Sequence, residues 1–77
     1  MSVKILAFSS AREMLGFNEK TVETEQSDTA ATLFARIAPM WRPDVSIRVA
    51  YDGEFAEWDD PIGAVAELAV IPPVSGG

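Results

Sequence analysis

Apolar and polar residues alternate over Val3-Lys4-Ile5-Leu6-Ala7-Phe8, which predicts a first strand. The period of two sets Val3, Ile5 and Ala7 on one face and Lys4, Leu6 and Phe8 on the other. Lys4 marks the second face as the wetter one. Ser10, with Glu13 three residues on, has the form of a capping box and predicts a short helix over 11–15. Gly16 suits a left-handed stop to that helix. Residues 19–25 set charged side chains around Thr21 and Val22, a polar strand expected to pair with the first as a hairpin arm. Ser27-Asp28-Thr29 then supplies three N-cap residue types in a row.

From Ala30 the period changes. Leu33, Phe34, Ile37 and Trp41 fall at helical spacing, with Arg36 outside the stripe, which predicts the main helix. Pro43 must end it, and Pro39 is expected to tighten its last turn. Alternation resumes at Ile47-Arg48-Val49-Ala50-Tyr51, a third strand. Asp52-Gly53 behind it is a two-residue hairpin signal, with Glu54-Phe55-Ala56 as the return. Residues 58–63 are turn-rich. The carboxylate pair Asp59-Asp60 ahead of Pro61 reads as a solvated loop rather than an acid–base pair, because no partner residue accompanies it. Glu67-Leu68-Ala69-Val70-Ile71 is a last apolar strand.

This order, with one main helix on a mostly antiparallel sheet, is a two-layer α+β design. The first and last strands are apolar enough to be central. If they lie side by side and parallel, the fold is a ubiquitin-like β-grasp with a mixed sheet. The expected core is Ile5, Leu33, Phe34, Ile37, Val49, Leu68 and Val70. Phe8, Phe55 and Ile71 are expected to lie close together on the face away from the main helix.

Composition narrows the chemistry. The 77 residues make one small domain near the lower limit for an unstapled core. With no cysteine and no histidine, the chain lacks a thiolate nucleophile, the usual general base and the commonest metal ligands. A metal site and catalysis by its own side chains are therefore not expected. The net charge of −6 argues against nucleic acid and anionic membranes and favours a basic protein partner. The first apolar run is too short to span a membrane and lacks the form of a signal peptide, so a cytoplasmic location is expected.

The sequence ends Pro72-Pro73-Val74-Ser75-Gly76-Gly77. Neither proline can donate to a sheet ladder, so the strand is expected to stop there and the tail to point outward. The expected organisation is a folded body over 1–73 and a flexible tail over 74–77. The two glycines leave a thin backbone ending in an α-carboxylate, a shape that a narrow enzyme channel admits. Glycine makes up about 7% of ordinary usage, so a chance Gly-Gly end is an event of about 0.5%.

Two pieces carry a family resemblance: Ala11-Arg12-Glu13-Met14-Leu15-Gly16 and the ending Val70-Ile71-Pro72-Pro73-Val74-Ser75-Gly76-Gly77. The chain resembles the MoaD/ThiS sulfur-carrier family, and within it the small subunits of molybdopterin synthase. It departs from the pattern at Val65-Ala66-Glu67, where a Gly-Asp-Glu turn is usual, and at Asp52, where Asn is frequent. The resemblance implies a non-catalytic sulfur-donor subunit of molybdenum cofactor biosynthesis. It implies that the Gly77 carboxylate is adenylated by a MoeB-type activating enzyme, which uses the ATP, and becomes a thiocarboxylate. Sulfur then passes to precursor Z in the active site of a MoaE-type large subunit, the two subunit types forming a heterotetramer. The carrier binds no cofactor of its own. Pro73, Val74, Ser75 and Gly76 would lie in the partner's channel, and Phe8, Arg12, Phe55 and Ile71 would dock the partner.

Two other readings remain open on the sequence: a thiamine-pathway sulfur carrier of the same fold, and a ubiquitin-like interaction module with an inert tail. An acidic regulatory domain finds no positive feature.

Overall fold

The computed structural model describes residues 1–43 and 45–73. Seven elements follow one another: β1 (Ser2–Ala7), α1 (Ser10–Leu15), β2 (Glu19–Glu23), α2 (Ala30–Ile37), β3 (Arg48–Tyr51), β4 (Glu54–Ala56) and β5 (Glu67–Ile71). The strands form one sheet in the order β2-β1-β5-β3-β4. β1 and β5 are central and parallel, while the other pairs are antiparallel. This is the ubiquitin-like β-grasp that the alternation predicted.

Register sorts the side chains. Ile5 stands opposite Leu68, which stands opposite Tyr51, and Ala7 leads in the same way to Val70, Val49 and Ala56. These residues face α2, where Val3, Ile5, Leu33, Val49, Leu68 and Val70 are all at most 1% exposed. Six of the seven expected core residues are buried. Ile37 is the exception, half-buried at the edge of the cluster. It sits in the last turn of α2, which ends earlier than its apolar stripe does. Proline disfavours the helical region for the residue before it. Ala38, ahead of Pro39, accordingly adopts φ −141° and ψ 64°. Trp41 is therefore not a helical residue, yet its ring still packs edge-on against Phe34 at 5.3 Å.

The start of α2 is over-determined. Thr29 Oγ1 accepts the Thr32 N–H at 3.1 Å, and Thr32 Oγ1 accepts the Thr29 N–H at 2.9 Å, a reciprocal capping box. The next free donors find partners from the 57–62 loop and β3. Ala30 N–H donates to Tyr51 Oη at 3.2 Å, and Ala31 N–H donates to the Trp58 carbonyl at 2.9 Å. Burial, more than the carboxylates of Asp60 and Asp59 beyond it, raises the Tyr51 hydroxyl above its ordinary pKa. The neutral hydroxyl can therefore accept from Ala30 while donating to the Asp60 carbonyl at 2.8 Å.

Asp28 is 7% exposed and fully partnered. It accepts from Arg36 at 3.0 and 3.2 Å, from the Glu25 N–H at 2.9 Å and from the Thr32 hydroxyl at 2.9 Å. The hydrogen bonds from Arg36 come first among the causes that hold its carboxyl far below the usual range, followed by those from Glu25 and Thr32. Arg36, the helical residue outside the apolar stripe, thus locks the β2–α2 connection.

Other expectations change in detail. β1 ends at Ala7, leaving Phe8 in a turn, and β2 stops at Glu23 rather than at residue 25. Ser9, not Ser10, is the N-cap of α1, and its side chain makes no cap hydrogen bond, so there is no capping box. Gly16 closes α1 as expected, with φ 84° and its N–H on the Arg12 carbonyl at 2.8 Å. Asp59 and Asp60 are exposed in a loop, as read, but the same loop drives Ile62 into the core at 2% exposure.

Candidate functional site

On the sheet face away from α2, Leu6, Ala69, Ala50 and Phe55 stand opposite one another in turn. Lys4, Glu67, Arg48 and Ile71 fill the flanking rows. Phe55 is 65% exposed and Phe8, just past the end of β1, is 48% exposed. For rings of this size in so small a domain, that exposure is what distinguishes the face from the packed one. Leu6, Ala69 and Ile71 are half-buried.

The structure joins Phe55 and Ile71 through a residue the alternation did not single out. Arg48 pairs with Ile71 across the ladder, and its guanidinium lies 4.9 Å from the centroid of the Phe55 ring. A cation over a ring face at an exposed site contributes about 0.5–1 kcal/mol and fixes the ring's orientation. Arg48 was findable in principle, since it shares the outward parity of Ala50 on a strand whose next hairpin arm carries Phe55. Arg12 is exposed on α1, following Phe8 across the turn.

β5 stops at Ile71, directly before the first proline. Pro72 is buried and Pro73 is exposed, so the chain reaches the surface of the body two residues past the strand. Val74, Ser75, Gly76 and Gly77 lie outside the described residues. The body therefore brings an apolar, partly cationic face and the root of the tail to neighbouring parts of one sheet, because β5 contributes to both.

The turn departures from the family pattern meet one another. Asp52 takes φ 50°, a conformation that Asp tolerates much as Asn does. Its carboxylate accepts the Ala66 N–H at 3.0 Å and the Glu67 N–H at 2.9 Å, tying the β3–β4 turn to the start of β5.

A second apolar feature lies on the other side of the molecule. Phe34, Trp41 and Trp58 meet edge to face and, with Ala31, Ala35, Arg42, Pro43 and Val45, line an open groove of about 340 Å³. Trp41 also donates its Nε1–H to Met14 Sδ at 3.4 Å. No group of three or more residues suited to hold a metal ion occurs among the described residues. Nor is any helix among them long and apolar enough to cross a membrane.

The sequence profile of the ThiS family matches residues 5–77. The chain belongs to the ThiS family. Among curated relatives, it is 31% identical to the molybdopterin synthase sulfur carrier subunit of Caenorhabditis briggsae, covering 100% of this chain and 99% of that one. It is 30% identical to the subunit of the same name in Caenorhabditis elegans, with the same coverage. Among solved structures, SAMP1 of Haloferax volcanii superposes with a TM-score of 0.77 at 26% identity, covering 100% of both chains. The ThiS-family β-grasp thus extends over both the outward face and the root of the tail.

Proposed function

We propose that this chain is the sulfur-carrier subunit of a molybdopterin synthase. The observation that carries the reading is the match, over 100% of the chain, to two proteins bearing that name, within a family profile that runs through to Gly77. The chemistry is consistent with a chain that has no cysteine and no histidine. An α-carboxylate with a pKa of about 3.3–3.7 is ionised at neutral pH and is a competent nucleophile toward the α-phosphate of ATP. Attack by a Gly77 oxygen expels pyrophosphate and leaves an acyl-adenylate. Sulfide-level sulfur, as hydrosulfide, then adds to the acyl carbon and AMP leaves, giving a thiocarboxylate with no change of oxidation state. When that sulfur is transferred to precursor Z, water supplies the oxygen that regenerates the carboxylate at Gly77. The activating enzyme, of MoeB type, supplies the ATP site, and a MoaE-type large subunit supplies the active site for transfer.

In this reading the β-grasp body is a handle. Phe8, Arg12, Phe55 and Ile71 dock the partner, with Arg48 holding the Phe55 ring, and Pro73, Val74, Ser75 and Gly76 thread its channel. Glycine at the last two positions keeps the thread thin enough to pass. The test is intact-mass analysis of the chain after incubation with ATP, a sulfur source and the activating enzyme from the same organism. The mass should rise by one oxygen-to-sulfur exchange located on Gly77. An unchanged mass, with the activating enzyme active on its own carrier, would leave an interaction module with an inert tail. Capture of a thiazole-forming partner instead of the large subunit would assign the chain to thiamine synthesis.

A further inference from the structure

Among the described residues, two that are not glycine hold a positive φ, Ser9 at 49° and Asp52 at 50°. Asp52 has a local reason, since it heads an Asp-Gly hairpin that requires this conformation and its carboxylate is bonded in place. Ser9 has none. Its φ of 49° and ψ of −128° lie where glycine is at ease and a residue with a Cβ is strained. Serine at an N-cap ordinarily caps, yet the Ser9 side chain makes no cap hydrogen bond.

What holds Ser9 there lies on either side of it. Ala7 is 3% exposed, and its N–H is bonded to the Asn18 carbonyl at 2.9 Å. Ala11 is 0% exposed, and its N–H is bonded to the Phe8 carbonyl at 3.0 Å. Both alanines belong to the same core, so the chain must leave β1 and enter α1 within the few residues between them. The Phe8-to-Ala11 bond and the positive φ at the next residue have the pattern of a type II′ turn. Two consequences follow. Phe8 is thrown out of the sheet to 48% exposure. The Arg12 N–H is brought to the Ser9 carbonyl at 3.1 Å, so two overlapping hydrogen-bonded turns, 8–11 and 9–12, link residues 8 and 12.

We infer that Ser9 is a positioning residue for partner docking, its left-handed backbone holding Phe8 and Arg12 as one preorganised element. The inference rests on the sulfur-carrier reading for the identity of the partner, the large subunit of the synthase. The flanking anchors exclude negative φ, and within the positive-φ region that remains a Cβ narrows the basin Ser9 can explore, which glycine would explore more widely. Strain that persists in a folded chain is kept where the conformation it enforces is used. Preorganisation of this kind acts on affinity by reducing what must be ordered on binding.

The chain is short enough for chemical synthesis, which allows two complementary replacements. Ser9→Gly removes the strain and the confinement together. Ser9→D-Ser removes the strain but keeps the confinement, because a D-residue prefers positive φ. Denaturation midpoint, backbone order at Phe8 and affinity for the purified large subunit of the same organism would be measured for each. Ser9→Gly should leave the midpoint level or raised, lower the Phe8 order parameter from about 0.85 toward 0.6, and weaken binding about threefold or more. Ser9→D-Ser should raise the midpoint and keep both the order and the affinity of the natural chain. Natural affinity and natural Phe8 order in Ser9→Gly would overturn the inference. A lowered midpoint in Ser9→D-Ser would overturn it too, by showing that the backbone is not left-handed. If the natural chain fails to bind the large subunit while Phe8 is ordered in it and loosened in the Ser9→Gly variant, the carrier reading falls and the positioning of Phe8 by Ser9 stands.

Discussion

The two faces of the sheet are built from the same strands, yet they are finished differently. On the α2 side, Ile5, Leu68, Val70 and Val49 vanish beneath Leu33, Phe34 and Ala30. The 57–62 loop seals that side further, with Ile62 in the core and the Trp58 indole N–H on the Ile47 carbonyl at 2.9 Å. On the other side, Phe8 and Phe55 stand 48% and 65% exposed, with the Arg48 guanidinium over the Phe55 ring. One face therefore supplies nearly all of the apolar burial that holds the domain together. In the carrier reading proposed above, the other is the face that meets a partner. A strand with period-two alternation allows this division, because its odd and even residues answer to different demands.

The division predicts a graded series of effects. Leu68→Ala, in the centre of the closed face, should cost about 2–5 kcal/mol, a large part of the roughly 5–15 kcal/mol available to a domain of this kind. Urea denaturation with unchanged cooperativity should show the midpoint falling steeply, and a midpoint like that of the natural chain would mean the faces are assigned the wrong way round. Ile62→Ala should approach the same range, at about 2 kcal/mol or more. A loss below about 0.5 kcal/mol would show that the loop merely decorates the core.

Thr29→Ala removes one half of the capping box and should cost about 1 kcal/mol. Its partner device, the Asp28–Arg36 pair, is read through pH. The folded-state pKa of Asp28 is lowered from its ordinary 3.8. The stability it contributes is therefore fully present above that value and is lost as the pH falls below it, toward the lowered folded-state pKa. Asp28→Asn should flatten this part of the acid limb of a stability–pH curve, and an unchanged acid limb would remove Asp28 from the account. At the small end, Phe55→Ser, which also removes the Arg48 contact, and Phe8→Asp should each shift stability by no more than about 1 kcal/mol while abolishing capture of the large subunit. Unfolding of either variant would make the outer face a second core and end the comparison.

Much of this was legible in the residues. The alternation of β1, β3 and β5 is strong enough to set both faces, and the shared apolar character of the first and last strands pointed to a central place for both, whose parallel pairing the structure then shows. Gly16 and Asp52-Gly53 marked turns that the backbone takes with positive φ. What escaped reading depends on contacts distant in sequence. Nothing local distinguishes Ile62 from any apolar residue in a turn-rich stretch; it is buried because its N–H bonds to the Asp28 carbonyl at 2.7 Å. Likewise Ser10 with Glu13 made a sound capping signal, but the burial of both Ala7 and Ala11 displaced the N-cap by one residue. Pro39 is the opposite case, a local signal that ends the helix although the apolar stripe continues to Trp41. Of the candidate site, the exposed rings and the outward parity of Arg48 follow from alternation, whereas the stacking of its guanidinium over Phe55 depends on side-chain contact that alternation does not encode.

The central claim is that a stable β-grasp handle serves a reactive Gly77 carboxylate, and one deletion tests it most directly. A chain ending at Gly76 removes the carboxylate from its position and leaves the described body intact. Assayed with the activating enzyme, ATP, a sulfur source and the large subunit, it should keep the natural melting curve while losing both adenylate formation and sulfur transfer. Sulfur transfer at the full rate from the shortened chain would contradict the account.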